Sequence, residues 1–448
     1  MNILIIGNGF DLAHGLPTSY DDFLNLSNAI ESIYCFGKKQ NIDEYVADHN
    51  ISEKIIPFVE KINDDICENK VNENNIHSNK RYLTKIKEVD EFYDCIKNNI
   101  WIRYFNRIRK NISGKNWIDF EKEISNVIKD LVKRRNFCLT KESCELDHLI
   151  YVNELCETIE EVNYLLIKDH NRIYKNLIGC TVSKISIDQI DDILSLLQKD
   201  LDRITRALEI YISYFVENIS VKNQVAEIQD INPDYVLSFN YSDTYESRYG
   251  SQKKVKQYSY IHGKADINHT VENCNLILGI DEFLHGKKKN KQLESLSFKK
   301  FYQRIYKSPD NNYLDWVDEI KDGYKNYINR QKNLDVLLDK SYSDGSLLYN
   351  IGVQKNLQDM AMEECPKHKV YIFGHSLDVT DKDILKLFIC NDNVDTKIYY
   401  YRKNEDDKES LGNIIENLIK IMGQKELISR TGGTHKTIEF IPQKLTLR

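Results

Sequence analysis

Four short motifs bring glycine, amide, imidazole and carboxylate groups to places where an apolar strand ends. The first is Gly7-Asn8-Gly9-Phe10-Asp11-Leu12-Ala13-His14-Gly15-Leu16-Pro17, directly after the apolar run Asn2–Ile6. A Gly-x-Gly turn lets backbone amides and a helix N-terminus face a pyrophosphate. The third glycine falls six residues after the second, so this is not the ordinary G-x-G-x-x-G, and a tight turn without a ligand also fits. The second motif runs from Ser238 to Glu246 and carries Asn240 and Asp243. An Asn at the carboxyl end of a strand can hold a water or a ribose hydroxyl, or it can cap the helix that follows. The third is Ile261-His262-Gly263. Imidazole suits proton transfer near neutral pH, while a lone His is more often structural. The fourth is Phe373-Gly374-His375-Ser376-Leu377-Asp378-Val379-Thr380-Asp381-Lys382-Asp383. Its Gly and Ser could bond a ribose or phosphate. Its three Asp could ligate a metal, but an acidic helix N-terminus accounts for them, and no metal is expected.

The elements that must position these motifs alternate between strand-like pieces and long helical stretches. Asn2–Ile6, Tyr235–Phe239, Tyr258–Ile261, Asn275–Leu278, Lys369–Phe373 and Thr396–Tyr401 read as strands, with Thr437–Ile441 as a final edge strand. Short apolar runs stopped by glycine suggest a Rossmann-like parallel sheet with helices on both faces. Between them the pattern is helical. Trp117–Arg135 is amphipathic, and Ile187–Phe215 has apolar residues in unbroken 3-4 spacing, a seam for in-chain helices or for a homo-oligomer. Lys408–Met422 also reads as a helix. The expected organisation is an α/β core in three parts, 1–22, 231–282 and 366–448, interrupted by helical insertions at 23–230 and 283–365.

Composition narrows the classes. The chain has 448 residues, 62 Lys+Arg and 69 Asp+Glu, and a net charge of -7. That balance argues against a dedicated duplex-DNA binder, leaving nucleic acid only the basic run Lys287–Lys291. No run approaches 18 uninterrupted apolar residues, so no membrane-spanning helix is expected. The N-terminus lacks the basic region of a signal peptide. Ten cysteines are scattered without a Cys-x-x-Cys pair, which suits reduced thiols in the cytoplasm and excludes a ribbon-type zinc site.

Taken in order, G-x-G-x5-G-Leu-Pro, the strand-end Asn, His-Gly and Gly-x-Ser-Leu-x-Val resemble the NAD-binding core of sirtuin-like proteins. The segments NILIIGNGFDLAHGLPTSYDDF, SFNYSDTYE, IHGKA and FGHSLDVTDKDI, with WIDFE at 117–121, resemble more closely the bacteriophage abortive-infection AbiH family. The similarity covers separate blocks, and the insertions carry little of it.

This resemblance implies roles. Gly7 and Gly9, with Asn8, Phe10 and His14 of the same turn, would face the pyrophosphate of NAD. Asn240 would position water or ribose beside the nicotinamide, flanked by Ser238 and Asp243. His262 would be the general base. Gly374, His375 and Ser376 would hold the adenosine ribose. Two positions depart from the sirtuin pattern. Ser242 stands where an Asp helps bind the carboxamide, and Asp11 and His14 stand where small residues or Ser are usual. A carboxylate beside the pyrophosphate would repel it by about 1 kcal/mol even in water. Asp11 is therefore expected to turn away, towards the nicotinamide ribose as a catalytic group, or towards His14 or a backbone amide as a brace. The four-Cys module of protein deacetylases is missing, so the implied reaction is hydrolysis of NAD to nicotinamide and ADP-ribose by a phage-defence effector. A nucleotide sensor without turnover and a nucleic-acid-targeting effector are the alternatives. A phage-derived trigger or a second defence protein is the expected kind of partner. One site requires Gly9, Asn240, His262 and Ser376 to meet at a single sheet edge.

Overall fold

The structure is a computed structural model and describes residues 1–36, 51–71, 86–111, 119–140, 187–220, 225–280, 295–344, 364–434 and 436–444. Six parallel strands form one sheet: β1 (Asn2–Ile6), β2 (Tyr235–Ser238), β3 (Gln257–Tyr260), β4 (His368–Phe373), β5 (Val394–Tyr400) and β6 (Ile438–Pro442). Their order is β3-β2-β1-β4-β5-β6, so the chain winds outward both ways from β1 and the order reverses between β1 and β4. In such a sheet the crevice outside the carboxyl ends at the reversal is where ligands bind.

Each face of the sheet has its own core. Ile3, Ile5, Leu237, Val370, Ile372 and Ile398 pack against helices Tyr313–Asp344, Lys382–Ile389, Glu409–Met422 and Gln424–Thr431. Leu4, Ile6, Val236 and Phe373 pack on the other face against Phe10, Ile228, Tyr245 and Tyr249. The four consecutive residues Ile3–Ile6 are all buried, as both-face coverage of a central parallel strand demands.

A third core belongs to the helices between β1 and β2. Among the described residues of that interval its longest helix is Ile187–Ile210, continued by a π-turn at Tyr211–Val216. The seam residues Leu194, Leu197, Leu201, Ile204, Leu208, Tyr211 and Phe215 are buried among in-chain helices, chiefly Lys87–Ile96. Lys287–Lys291, Trp117 and Ile118 lie outside the described residues. No helix among the described residues is long and apolar enough to cross a membrane.

One expected strand is absent. Asn275–Leu278 is extended but joins no strand of the sheet, although Leu276, Ile277 and Leu278 are fully buried. One backbone bond, from Ile277 N–H to His262 O at 2.9 Å, and several side chains take the place of a ladder. The Gln303 amide bonds both the N–H and the C=O of Leu278, Lys307 Nζ donates to Leu276 O, and the Tyr241 hydroxyl donates to Ile277 O. Gln303 and Lys307 sit on the helix Lys300–Lys307. That helix is inside out: Lys300 and Gln303 are buried while Phe301, Ile305 and Tyr306 are exposed.

Candidate functional site

Each of the four motifs leaves the carboxyl end of a neighbouring strand. The register pairs Ile6 with Ser238 and with Phe373, and Ser238 with Tyr260, so the loops start level with one another. Gly7–Gly9, Asn240, His262 and Gly374–Ser376 therefore lie along one edge, across β3, β2, β1 and β4.

The glycines of the first and fourth motifs serve each other. The Gly9 amide donates to Gly374 O at 2.8 Å, and a Cβ on Gly9 would stand 2.8 Å from Gly374 Cα. A Cβ on Gly7 would stand 2.8 Å from His375 Cα. Gly374 itself has φ +69°, the region glycine tolerates best. These glycines let two loops close on one another. The Gly9 amide, expected to face a pyrophosphate, is spent on that contact in this structure.

His14 and Phe10, expected beside the ligand, are engaged within the protein. His14 Nδ1–H donates to Phe10 O at 2.7 Å, and Nε2 accepts from the Tyr249 hydroxyl at 2.8 Å, so neither nitrogen is left for a ligand. Burial lowers its pKa, in keeping with a neutral ring. Phe10 is fully buried among Tyr245, Tyr249 and Phe373. Ser238 turns its Oγ back to Asn240 N and O. Asp243 is half-buried and pairs distantly with Lys264, at 3.8 Å. Asn8 and Ser376 are exposed at the edge, Asn8 accepting the Thr18 hydroxyl.

The remaining candidates form a buried polar centre. Asn240 is 5 % exposed, and neither atom of its carboxamide has a hydrogen-bond partner among the described residues. It caps nothing: Asp243 precedes the helix Thr244–Tyr249 and makes no side-chain capping bond, its own N–H going to Glu217 Oε1. Asp11 is buried with Oδ2 accepting the Ser242 hydroxyl at 2.6 Å, while Oδ1 has no partner. The Asn240 amide flanks the same carboxylate without reaching hydrogen-bond geometry. Burial pushes Asp11 up to about 6, against the lowering by Ser242. The two departures from the sirtuin pattern thus meet: the carboxylate comes from the first loop and the hydroxyl from the second.

His262 is buried with Nε2 3.3 Å from Asp381 Oδ1, and its Nδ1 has no partner. With its Nε2–H facing Asp381, a neutral ring keeps Nδ1 as a buried lone pair without a partner among the described residues. Burial lowers its pKa to about 4, although Asp381 works the other way, so the ring is neutral at pH 7. Asp381 also faces His375: Leu377 N–H donates to His375 Nδ1 at 2.8 Å, which leaves Nε2–H to point at Asp381 Oδ2, 3.6 Å away. Phe239 stands against both imidazoles, its ring 5.5 Å from His262 and 4.4 Å from His375.

The acidic run after Ser376 is a helix N-terminus only in part. Asp378 caps the short turn through Thr380 N, and Asp383 is exposed. Asp381 is buried and central. Burial alone would raise its pKa, but the Lys300 cation together with His262 and His375 outweighs that and holds it well below the usual range. Lys300 Nζ lies 2.7 Å from Glu121 Oε2 and 3.4 Å from Asp381 Oδ1, and Arg304 Nη2 lies 3.5 Å from Asp381. Glu121 belongs to the WIDFE stretch, which carries the family resemblance into the first insertion. Nothing in the sequence singled out Lys300 or Arg304. Among the described residues no group of His, Cys, Asp and Glu is arranged to hold a metal ion. A separate groove of about 320 Å³, lined by Lys369, Lys397 and Glu439, contains none of the four motifs.

The family model described as "Bacteriophage abortive infection AbiH" matches residues 3–401 of this chain. No curated protein and no solved structure matches it.

Proposed function

The chain belongs to the bacteriophage abortive infection AbiH family, and from that premise we propose that it binds NAD through a sirtuin-like core and hydrolyses it to nicotinamide and ADP-ribose. The observation that carries the reading is the bare Nδ1 of neutral His262, fixed from behind by Asp381, on the same sheet edge as the unpartnered Asn240 carboxamide. Such orphaned buried groups cost free energy unless a ligand or water meets them. In the reaction Asn240 holds a water against the ribose carbon that bears nicotinamide. The water oxygen bonds to that carbon. The bond to nicotinamide breaks with its electron pair going to the pyridinium nitrogen, whose charge is neutralised. The water's proton passes to His262 Nδ1. Positioning and charge stabilisation supply the rate enhancement. The unpartnered Asp11 Oδ1 is the group that faces the positive charge growing on the ribose.

NAD depletion would stop host and virus together, which is how such an activity would serve abortive infection. Purified protein incubated with NAD should release nicotinamide, followed by chromatography, and should retain a measurable NAD affinity by calorimetry. Affinity without nicotinamide would support the second reading, a nucleotide sensor. The observation favouring that reading is the Gly9 amide closed off by Gly374. Neither binding nor release would remove NAD from the account.

A further inference from the structure

The charges around Asp381 come from three separate parts of the chain. Glu121 is on the helix Phe120–Thr140, before β2. Lys300 starts the helix Lys300–Lys307, between β3 and β4. Asp381 follows β4. Lys300 Nζ bridges the other two, at 2.7 Å from Glu121 and 3.4 Å from Asp381, and is almost wholly buried. A buried lysine needs paired carboxylates to stay charged. Asp381 in turn has two buried imidazoles to orient, and its place between them depends on what else it bonds.

We propose that Glu121 and Lys300, one from each helical block inserted in the core, are positioning residues that fix Asp381 and, through it, the imidazole of His262. The site is complete only when both blocks are seated, so the insertions are part of the catalytic apparatus and not spacers. The inside-out helix has the form this role requires: it turns Lys300 and Gln303 inward and leaves Phe301, Ile305 and Tyr306 outside. For the turnover arm below, the inference rests on the NAD reading; for the spectroscopic arm it does not.

The groups facing His262 are Asp381, Lys300 and Arg304, with His375 across the shared carboxylate and the Phe239 and Tyr241 rings alongside. Lys300 opposes protonation of His262. Glu121, with burial pushing it up to about 7, is largely neutral where His262 titrates. The test is the ring-nitrogen NMR of full-length protein labelled in histidine, with His262 assigned by comparison with His262→Gln. The native ring should show one neutral tautomer, protonated at Nε2. Lys300→Met should raise its midpoint by about one pH unit or more and mix the tautomers. Should the single variant leave its buried partners too exposed to fold, Glu121→Gln/Lys300→Met removes both charges together and should give the same shift. Lys256→Met, at an exposed pair remote from the site, should leave the ring unchanged. An unchanged tautomer and midpoint in the Lys300 variants would overturn the proposal. With NAD present, the paired variant should lose about tenfold or more in turnover with affinity held within about threefold. A native protein that turns over no NAD would sink the proposed reaction while the ring signals still decide the positioning.

Discussion

At the residue scale two side chains divide the work, and each gives a prediction. His262 keeps its bare Nδ1 only while Nε2 is held by Asp381. His262→Gln should cut nicotinamide release by about 100-fold or more, the range of general-base catalysis, with NAD affinity nearly unchanged. Full activity in this variant would make His262 structural. Asp11 is the opposite case, a carboxyl whose pKa is raised to about 6 by burial. The folded state then holds its proton more tightly than the unfolded chain does, so stability falls as pH rises from about 4 to about 6 and stays lower above that. The full difference is roughly 3 kcal/mol. Asp11→Asn should therefore raise the melting temperature at pH 8 and leave it unchanged at pH 4. If ionised Asp11 faces the growing ribose charge, the acid limb of the turnover profile lies near pH 6 and not near the value for His262. The same variant should lower turnover far more than binding. Equal loss of both, or loss of neither, would make Asp11 a brace on Ser242.

At the element scale the loops and the inverted helix replace ordinary secondary-structure contacts. Gly374 cannot accept a side chain: its Cβ would lie 2.2 Å from Phe10 N, and its φ is +69°. Gly374→Ala should destabilise by about 2–4 kcal/mol, strain and overlap together, and weaken NAD binding by separating β1 from β4 at the crevice. Denaturant titration measures the first effect and calorimetry the second; an unaltered midpoint would show that the loops are not held together there. The helix Lys300–Lys307 serves the segment Asn275–Leu278 as a neighbouring strand would. Gln303→Leu leaves a buried N–H and C=O of Leu278 without partners and should cost about 2–5 kcal/mol. Ile305→Ser, on the exposed side of the same helix, should change stability by less than about 0.5 kcal/mol.

At the scale of the whole molecule, a second buried cation, in addition to Lys300, ties the first helical block to the core. Arg206 is fully buried, with Nε 2.8 Å from Glu91 Oε1 and Nη1 2.7 Å from Glu209 Oε2. It also donates to the carbonyls of Asp266 at 3.0 Å and Ile267 at 2.9 Å, in the loop that follows His262-Gly263. Glu209 holds His269 of the same loop at 2.6 Å. Arg206→Met strands buried Glu209 and should cost about 3–5 kcal/mol in unfolding free energy. Arg206→Met/Glu209→Leu, which removes both charges, should recover part of that loss, and further destabilisation by the second change would refute the tie.

The sequence by itself determined the sheet and the edge at which the motifs stand. Short apolar runs such as Asn2–Ile6, each ended by a glycine or polar turn, carry their strand signal locally, and strand ends in a parallel sheet share one edge. It also carried the seam of Ile187–Phe215, because helical periodicity is a property of neighbouring residues. Only the tertiary structure decided the chemistry at that edge. Asn275–Leu278 has the composition of a strand, yet it bonds the His262 carbonyl and the side chains of Tyr241, Gln303 and Lys307, all distant in sequence, and no strand. His14 and His262 look alike in sequence, yet one has both nitrogens bonded and the other keeps a bare one. Asp381 stands among other acids, Asp378 and Asp383, and Lys300 beside another lysine, Lys299. Burial and the partner across the fold give each its role, and neither is a local property of the chain.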